Sequence, residues 1–289
     1  MLAAVSGNEV SYANNKNLSN LNVAIDDGIG VLIGPNGVGK STLIGILEGL
    51  VRVNHTDRVS LLGESPYKKP ELAFRNVSFL PEKPVNLGGR SVLEAIKYFS
   101  MLREISAEKF QKLLSYFDIE YVLRQKWKDL SNGEIQIISI ILCLSVNAKL
   151  YVMDEPNANL DFSNRIKLSK IISRLRNEEH SSFLITSHIL DEILPISDYI
   201  ISMNKNSVSS TVLKGDYYKK NNLIIVKSFQ IEELYDKVKI NYNVKLGQNE
   251  LIVRNTSTKE LIDLLGNKID LVTGIEVFPY FLSMVGELG

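Results

Sequence analysis

One eight-residue segment constrains this chain more than any other. Residues 34–41 read Gly-Pro-Asn-Gly-Val-Gly-Lys-Ser and match the pattern G-x-x-x-x-G-K-[ST]. An apolar run at residues 31–33 precedes it, and a helical pattern of leucines and isoleucines follows over residues 43–50. Glycines let several backbone N–H groups converge on one anion, and the following helix points its positive end at the same place. These residues, the phosphate loop, therefore predict a phosphate site; a chance glycine-rich turn is the alternative, which the flanking strand and helix disfavour.

A second segment carries two carboxylates at the end of an apolar run. Residues 150–153 are apolar, and Asp154 and Glu155 follow them. Phosphoryl transfer needs a carboxylate that holds Mg²⁺ and a group that orients or deprotonates the attacking water. Asp154 suits the first task and Glu155 the second, while Lys40 would reach the β- and γ-phosphates and Ser41 would bind Mg²⁺. Alone, the two acids could be a polar strand end before a proline turn; beside the phosphate loop they predict nucleotide hydrolysis.

Short apolar runs alternate with helical patterns along most of the chain. The strand-like runs are residues 31–33, 77–80, 150–153, 182–186 and 199–203. Runs of this kind suit strands that are buried on both faces of a parallel sheet. We therefore expect an α/β fold over residues 1–215, a P-loop NTPase sheet sandwiched by helices, with an inserted helical subdomain at about residues 85–149.

A different pattern begins after a polar segment at residues 215–222, which is a plausible linker. Strand-like and helix-like segments follow in the order β-α-β-β-α-β, at residues 223–226, 231–238, 239–246, 251–253, 257–265 and 269–277. Ser257 and Glu260 fit a capping box at the start of the second helix. This order predicts a small ferredoxin-like α+β domain over residues 216–289.

The composition argues against several classes of protein. Lysine plus arginine and aspartate plus glutamate both total 33, so the net charge is zero and no nucleic-acid partner is expected. The single cysteine, Cys143, cannot form an intramolecular disulfide, and its apolar surroundings predict a small buried side chain. The most apolar segment, residues 135–146, is shorter than the roughly 20 residues of a membrane span. We expect a buried core helix there and no membrane crossing.

Further motifs in the right order make the chain resemble the ATPase subunits of ABC transporters over about residues 5–210. Residues 130–134, Leu-Ser-Asn-Gly-Glu, resemble the family signature, which usually reads leucine-serine-glycine-glycine-glutamine. Residues 159–161 resemble the D-loop, and residues 186–188 resemble the segment of the switch histidine. Residues 79–84 stand where the family has its Q-loop.

The resemblance implies that two such domains face each other head to tail. Each ATP would lie between the phosphate loop of one subunit and the signature of the other, so that ATP closes the dimer and hydrolysis releases it. Ser131 would begin a helix, and its hydroxyl and the N–H groups of Asn132 and Gly133 could face the γ-phosphate. Ser131 and Glu134 also fit a capping box, and the two interpretations are compatible.

The resemblance also gives roles to residues outside these loops. Tyr12 would stack on adenine and His188 would sense the γ-phosphate; ordinary packing and an incidental strand-end histidine are the alternatives. The predicted catalytic residues are Lys40, Glu155 and His188. The predicted ATP-binding residues are Tyr12, Gly34, Pro35, Asn36, Gly37, Val38, Gly39, Lys40, Ser41, Thr42, Glu82, Ser131, Asn132, Gly133, Glu134 and Asp161. The predicted Mg²⁺ ligands are Ser41, Glu82 and Asp154.

Some positions depart from the family pattern. Asn132 replaces the first signature glycine, Glu134 replaces the glutamine, and residues 135–141 contain no basic residue. These changes predict a working but weakened signature. Glutamate in the Q-loop, at Glu82, and the extension after about residue 215 are similar to exporter-type subunits of the drug, lipid and polysaccharide classes.

The function implied by the resemblance is ATP-driven transport. We expect a Mg²⁺-dependent ATPase subunit on the cytoplasmic face of the cell membrane. Its expected partners are ATP, a second copy or a paralogous ATPase subunit, and an integral membrane permease. A soluble ABC-type ATPase and a low-turnover regulatory subunit are the alternative functions.

Overall fold

The computed structural model describes two separate units of the chain. The described residues are 1–12, 16–84, 88–187, 193–204, 207–213, 222–247, 249–254 and 258–279. The units are Met1–Thr211 and Val212–Gly289. The predicted linker falls largely on residues 214–221, which lie outside the described residues, as does Ser257 of the predicted capping box.

A mixed sheet organises the first unit. Its strands are β1 (Ala3–Tyr12), β2 (Lys16–Ile25), β3 (Ile29–Ile33), β4 (Val59–Leu61), β5 (Val77–Leu80), β6 (Leu150–Asp154), β7 (Ser182–Thr186), β8 (Tyr199–Asn204) and β9 (Ser207–Leu213). Over the described residues they lie in the order β4-β1-β2-β9-β8-β3-β7-β6-β5. The α/β fold class with a parallel core is therefore confirmed.

The parallel part of this sheet explains the continuous apolar runs. Every residue of β3, β6 and β7 is buried, because layers cover both faces of these strands. In contrast, β1 and β2 form an antiparallel hairpin, and over residues 21–25 of β2 buried residues alternate with less buried ones. That alternation marks a sheet with one buried face, and it lies outside the predicted strands.

The described residues of the first unit form six α-helices, three of them within residues 85–149, where an inserted helical subdomain is expected. They are α1 (Lys40–Leu47), α2 (Pro70–Asn76), α3 (Val92–Leu102), α4 (Ala107–Phe117), α5 (Asn132–Ser145) and α6 (Phe162–Glu179). Helix α5 is the predicted buried core helix, and Cys143 is buried in it, as expected. Leu50 was predicted within the first helix, but α1 ends at Leu47 because Gly49 adopts a φ of 76°, and Leu50 is 77% exposed.

The second unit has the predicted β-α-β-β-α-β order. Its elements are β10 (Asn222–Lys227), α7 (Ile231–Val238), β11 (Asn243–Leu246), β12 (Glu250–Arg254), α8 (Thr258–Leu265) and β13 (Gly274–Pro279). The strands lie in the order β11-β12-β10-β13, and all described pairings are antiparallel. One face packs through Ile224, Val226, Leu251 and Val253 against the helices.

Two predicted strands of this unit were too long. Residues 239–242 form the exit turn of α7, in which the N–H groups of Lys239 and Tyr242 donate to the carbonyls of Tyr235 and Val238. Gly266–Leu271 is a 3-10 turn that follows α8, so β13 begins only at Gly274. In both places the residues connect a helix to a strand, although their alternating apolar and polar side chains resemble a strand pattern.

Candidate active site

The phosphate loop connects β3 to α1, as predicted. Lys40 is the first residue of α1, and Gly39 precedes it as the N-cap. A Cβ at Gly34 would lie 2.5 Å from the carbonyl oxygen of Met203, so only glycine fits there. Gly37 has a φ of 74°, a conformation that disfavours other residues, and nothing lies within 4 Å of where its Cβ would be. The loop is therefore tight against the sheet at one end and open at its tip.

Lys40 spans this loop with its side chain. The residue is buried, and its Nζ donates to the carbonyl oxygen of Gly34 at 2.7 Å and to that of Pro35 at 3.3 Å. Burial lowers the pKa of Lys40, and the nearby carboxylates of Glu155, Asp154 and Glu82 act in the opposite direction. The ammonium group is thus held at the loop, where a phosphate oxygen can replace the carbonyl contacts.

Parallel pairing of β3, β7 and β6 brings the acids to the same edge of the sheet. Leu32 lies opposite Thr186, and Thr186 lies opposite Asp154. The Thr186 hydroxyl donates to Asp154 Oδ1 and accepts a hydrogen bond of 2.9 Å from the backbone N–H of Glu155. One threonine therefore orients the carboxylate of Asp154 and the backbone that carries Glu155.

The oxygen donors at this edge of the sheet suit Mg²⁺, an ion that takes only a few of its ligands from the protein. Within the described residues no group of three or more histidine, cysteine or acidic side chains could hold a metal. Mg²⁺ is commonly bound by one or two carboxylates together with substrate phosphates and water. Asp154 is 6% exposed and Ser41 is exposed at the start of α1, so a buried carboxylate and an accessible hydroxyl are both available.

The signature begins α5 and lies against the D-loop. Ser131 is the N-cap, and Ser131 and Glu134 form the predicted capping box. A Cβ at Gly133 would lie 3.0 Å from the carbonyl oxygen of Asn159, so the helix start packs closely on the D-loop. Asp161 caps α6, because its Oδ1 accepts from the N–H of Asn164 at 2.8 Å.

Both the sequence and the fold have relatives among known proteins. A family model described as ABC transporter matches residues 18–158. The zinc import ATP-binding protein ZnuC of Buchnera aphidicola subsp. Schizaphis graminum is 30% identical over 210 residues, which cover 68% of this chain and 78% of that protein. This chain belongs to the ABC transporter ATP-binding family.

Two further matches extend the comparison. An uncharacterized ABC transporter ATP-binding protein of Methanocaldococcus jannaschii is 27% identical over 289 residues, 95% of this chain and 93% of that protein. The solved structure of an ATP binding subunit of an ABC transporter has the same fold, with a TM-score of 0.65 and 24% identity over 76% of this chain and 92% of that one. The predicted family is confirmed, and the protein is an ATP-binding, ATP-hydrolysing ABC transporter subunit.

The predicted site residues of this ABC subunit fall into two groups. The phosphate loop lies within electrostatic reach of Asp154, Glu155 and Glu82. The signature and the D-loop line a separate groove, here called the signature groove, which also contains Tyr121 and Lys167. Among the described residues, none of the phosphate loop lines this groove.

The structure describes no side chain for two predicted contacts of the ABC subunit. Tyr12 is the last residue of β1, but its side chain is not described. His188 follows directly after the described segment that ends at Ser187. The roles of Tyr12 and His188 therefore stay predictions.

Sequence reasoning missed two residues that support the site. The sequence marks Thr186 only as a neighbour of His188, although its place opposite Asp154 follows once β6 and β7 are paired. Gln136 is fully buried in α5, and its Nε2 donates to the carbonyl oxygen of Pro156 at 3.1 Å. The signal for Gln136 was a polar residue in an otherwise apolar helical run.

No helix in the described ranges combines the length and the apolar character needed to span a membrane.

Proposed function

We propose that this ABC subunit hydrolyses Mg²⁺-bound ATP as a head-to-tail dimer and powers transport through a separate membrane subunit. One observation carries the proposal: the phosphate loop and the signature groove are separate clusters in the described chain. A γ-phosphate held by Lys40 needs further donors on its other side, and Ser131 with the N-terminal amides of α5 are donors of that kind. A second copy, facing the first in the opposite direction, supplies them.

In this proposal the residues of the phosphate loop hold the nucleotide. The backbone amides of residues 34–41 surround the phosphates, and Lys40 moves from its carbonyl contacts to the γ-phosphate. Ser41, Asp154 and Glu82 would hold Mg²⁺, which would supply neutralisation of the negative charge on the phosphates. ATP binding follows from family membership; the metal and these individual roles are proposed.

Glu155 acts on the attacking water. Its backbone N–H donates to the hydroxyl of Thr186 at 2.9 Å and to the Thr186 carbonyl at 3.2 Å, and its φ is 49°. These contacts fix the turn that follows β6, so the carboxylate is carried on a rigid support. His188 holds the γ-phosphate from the next segment of the chain, as the family resemblance implies.

An exposed apolar groove supports a membrane subunit as partner. The apolar groove is lined by Glu48, Leu50, Pro70, Glu71, Ala73, Phe74, Phe79 and Arg103. Phe74 is 52% exposed, and the guanidinium of Arg103 lies 4.5 Å from the centre of its ring. Exposed apolar surfaces of this kind mark protein interaction sites. Phe79 is the first residue of the Q-loop segment 79–84, so a partner in this groove would lie close to Glu82.

Two observations bear on the class of transporter. The Q-loop residue Glu82 and the extension after about residue 215 support the exporter class. The relative from Buchnera is named for zinc import, which supports the opposite direction. We propose attachment at the cytoplasmic face of the cell membrane in either case. Uptake by proteoliposomes that hold the membrane subunit, with ATP supplied only outside or only inside, distinguishes the two directions.

Mixed dimers test the head-to-tail arrangement directly. A Lys40→Ala chain lacks a working phosphate loop, and an Asn132→Trp chain has an obstructed signature while its capping box is kept. Each variant alone has no complete site in a homodimer. A mixture forms one complete site from the two intact halves, so we expect ATPase activity to return on mixing. Activity that stays absent in a mixture of folded chains, as checked by thermal unfolding, contradicts the arrangement.

A low-turnover regulatory subunit is the second candidate function, because Asn132 and Glu134 depart from the family signature. Glu155→Gln separates the two candidates. If the wild-type chain releases phosphate rapidly and Glu155→Gln binds ATP without turnover, the result supports the transport-powering function. Equal and very slow phosphate release by both proteins would support the regulatory subunit.

A further inference from the structure

The hydroxyl of the signature serine is already occupied. Ser131 Oγ donates its single proton to Glu134 Oε2 at 2.8 Å, and it accepts from the N–H of Glu134 at 3.2 Å. The backbone N–H of Ser131 donates to the same carboxylate oxygen at 2.8 Å. A γ-phosphate is an acceptor and needs that hydroxyl proton. Glu134 and an incoming phosphate therefore compete for one donor.

A third residue holds this carboxylate from the other side. The phenol of Tyr121 donates to Glu134 Oε1 at 2.8 Å, from the 3-10 turn Glu120–Arg124. Tyr121 and Glu134 both line the signature groove. The two oxygens of Glu134 are thus held by different partners, so the carboxylate cannot rotate away from Ser131 without losing a hydrogen bond.

The charge of Glu134 has no cation beside it within the described residues. Lys167 lines the same groove, but its ammonium group is paired with Asp118 at 2.7 Å. Partial burial raises the pKa of Glu134, yet the hydrogen bonds from Ser131 and Tyr121 outweigh that effect and bring it below the usual value. The signature groove therefore holds the negative charge of Glu134 at the place where the proposed dimer brings the triphosphate of ATP, and the two charges repel.

We propose that Tyr121 is a positioning residue that, through Glu134, latches the Ser131 hydroxyl and opposes ATP-driven closure of the dimer. This inference rests on the proposed head-to-tail dimer. Closure requires the Ser131 hydroxyl to donate to the γ-phosphate instead of to Glu134. The carboxylate stays in place, and its negative charge repels the phosphate. The latch raises the ATP concentration that closure needs, and ATP binding by a single chain does not depend on it.

The experiment measures ATP-dependent dimerisation by analytical ultracentrifugation in the Glu155→Gln background, which blocks turnover. Glu134→Gln keeps an oxygen for the capping box and removes the charge, so we expect the half-saturating ATP concentration to fall about fivefold. Tyr121→Phe removes one hydrogen bond to the carboxylate, and we expect a fall of about twofold. High salt shrinks the benefit of Glu134→Gln because it screens the charge.

The double variant separates positioning from a merely structural role. If Tyr121 acts through the Glu134 carboxylate, Tyr121→Phe leaves the half-saturating ATP concentration unchanged in the Glu134→Gln background. An equal Tyr121→Phe effect in both backgrounds, or an unchanged or higher ATP requirement in Glu134→Gln, would overturn the latch. Absence of any ATP-dependent dimer would overturn the proposed dimer, and the latch with it.

Helix α3 supplies the matched control. Ser91 and Glu94 form the same capping box, with a Ser91 hydroxyl to Glu94 Oε2 distance of 2.8 Å. Glu94→Gln therefore makes the same chemical change at a helix start away from the signature groove. We expect it to leave the ATP requirement unchanged. A shift as large as that of Glu134→Gln would mean that the charge acts through helix stability instead, and would contradict the latch.

Discussion

Helices α1 and α5 begin in opposite ways. Helix α1 has Gly39 as its N-cap, no side-chain hydrogen bond to its first amides and no acidic residue in its first turn. Helix α5 has Ser131 and Glu134 in a capping box, so its own side chains hold the N–H groups of Ser131 and Glu134 and the hydroxyl proton of Ser131. The first helix start is ready to receive a phosphate, whereas the second must give up a contact. A side-chain cap at the start of a helix therefore weakens that start as an anion site.

The largest test of this comparison removes the cation at the start of α1. We expect Lys40→Ala to lower ATP affinity and turnover at least about a hundredfold, because the preorganised charge at the phosphates is lost. Isothermal titration and phosphate release measure the two quantities. Lys112→Ala, on the exposed face of α4, is the control. An unchanged affinity in Lys40→Ala would contradict the phosphate site itself.

A second test addresses the other end of α1, where Glu48 is the C-cap. Burial, and then the charge of Asp154, raise the pKa of Glu48 to about 7. Because the raised pKa favours the protonated form in the folded state, this stabilisation is complete below the ordinary pKa and is lost as the pH rises through about 7. Relative to Glu48→Gln, the wild type is expected to lose about 3 kcal/mol of unfolding free energy between about pH 4 and about pH 8.

Urea unfolding at several pH values measures this difference. The control is Glu108→Gln, since a hydrogen bond from Lys112 lowers the pKa of Glu108 and gives the opposite direction. Parallel pH profiles for wild type and Glu48→Gln would show that Glu48 does not carry the effect.

The third test asks whether the hydroxyl of Thr186 orients the acids that lie near the start of α1. Thr186→Val keeps the shape and removes the hydroxyl that holds Asp154 and the Glu155 N–H. We expect kcat to fall about tenfold with a smaller change in ATP affinity, because the acids lose their orientation. Thr186→Ser keeps a hydroxyl and should recover most of the rate. A Thr186→Val enzyme with wild-type kcat would show that the Thr186 hydroxyl does not orient the acids for turnover.

The smallest expected effect concerns the α5 side. Asn132→Gly restores a small residue beside the incoming phosphate, and we expect a rise in ATPase rate of about threefold. The same change costs at most about 0.3 kcal/mol of stability, because asparagine is already a poor helix residue and glycine is only slightly poorer. Steady-state ATPase assays and thermal unfolding measure the two effects. No gain in rate would count against a weakened signature.

The elements that sequence predicted best are those whose pattern is local and strong. Strands β5 and β7 match the predicted residues 77–80 and 182–186, because parallel strands that are buried at most or all of their residues are short runs rich in apolar residues. The β1–β2 hairpin was missed, since its strands contain many polar residues and depend on pairing with each other. Helix α6 was missed as well, although Asp161 marks its N-cap.

The site divides in the same way. The residues of the phosphate loop and Asp154 could be chosen from motifs, because the spacing of the motif encodes the backbone that binds phosphate. Thr186 and Tyr121 could not, because each contacts its partner only after distant segments fold together. A motif contains the groups that touch the ligand, whereas their supports come from elsewhere in the chain.

The hydrogen bond from Gln136 to Pro156 has a consequence for a dimeric machine. It joins the helix that carries one subunit's signature to the turn directly after that subunit's Glu155. In the proposed dimer, that signature serves the nucleotide bound by the partner, and that glutamate serves the nucleotide bound by its own chain. In each subunit this hydrogen bond connects the two nucleotide sites of the proposed dimer. A displacement of α5 at one nucleotide would then reach Glu155 at the other nucleotide.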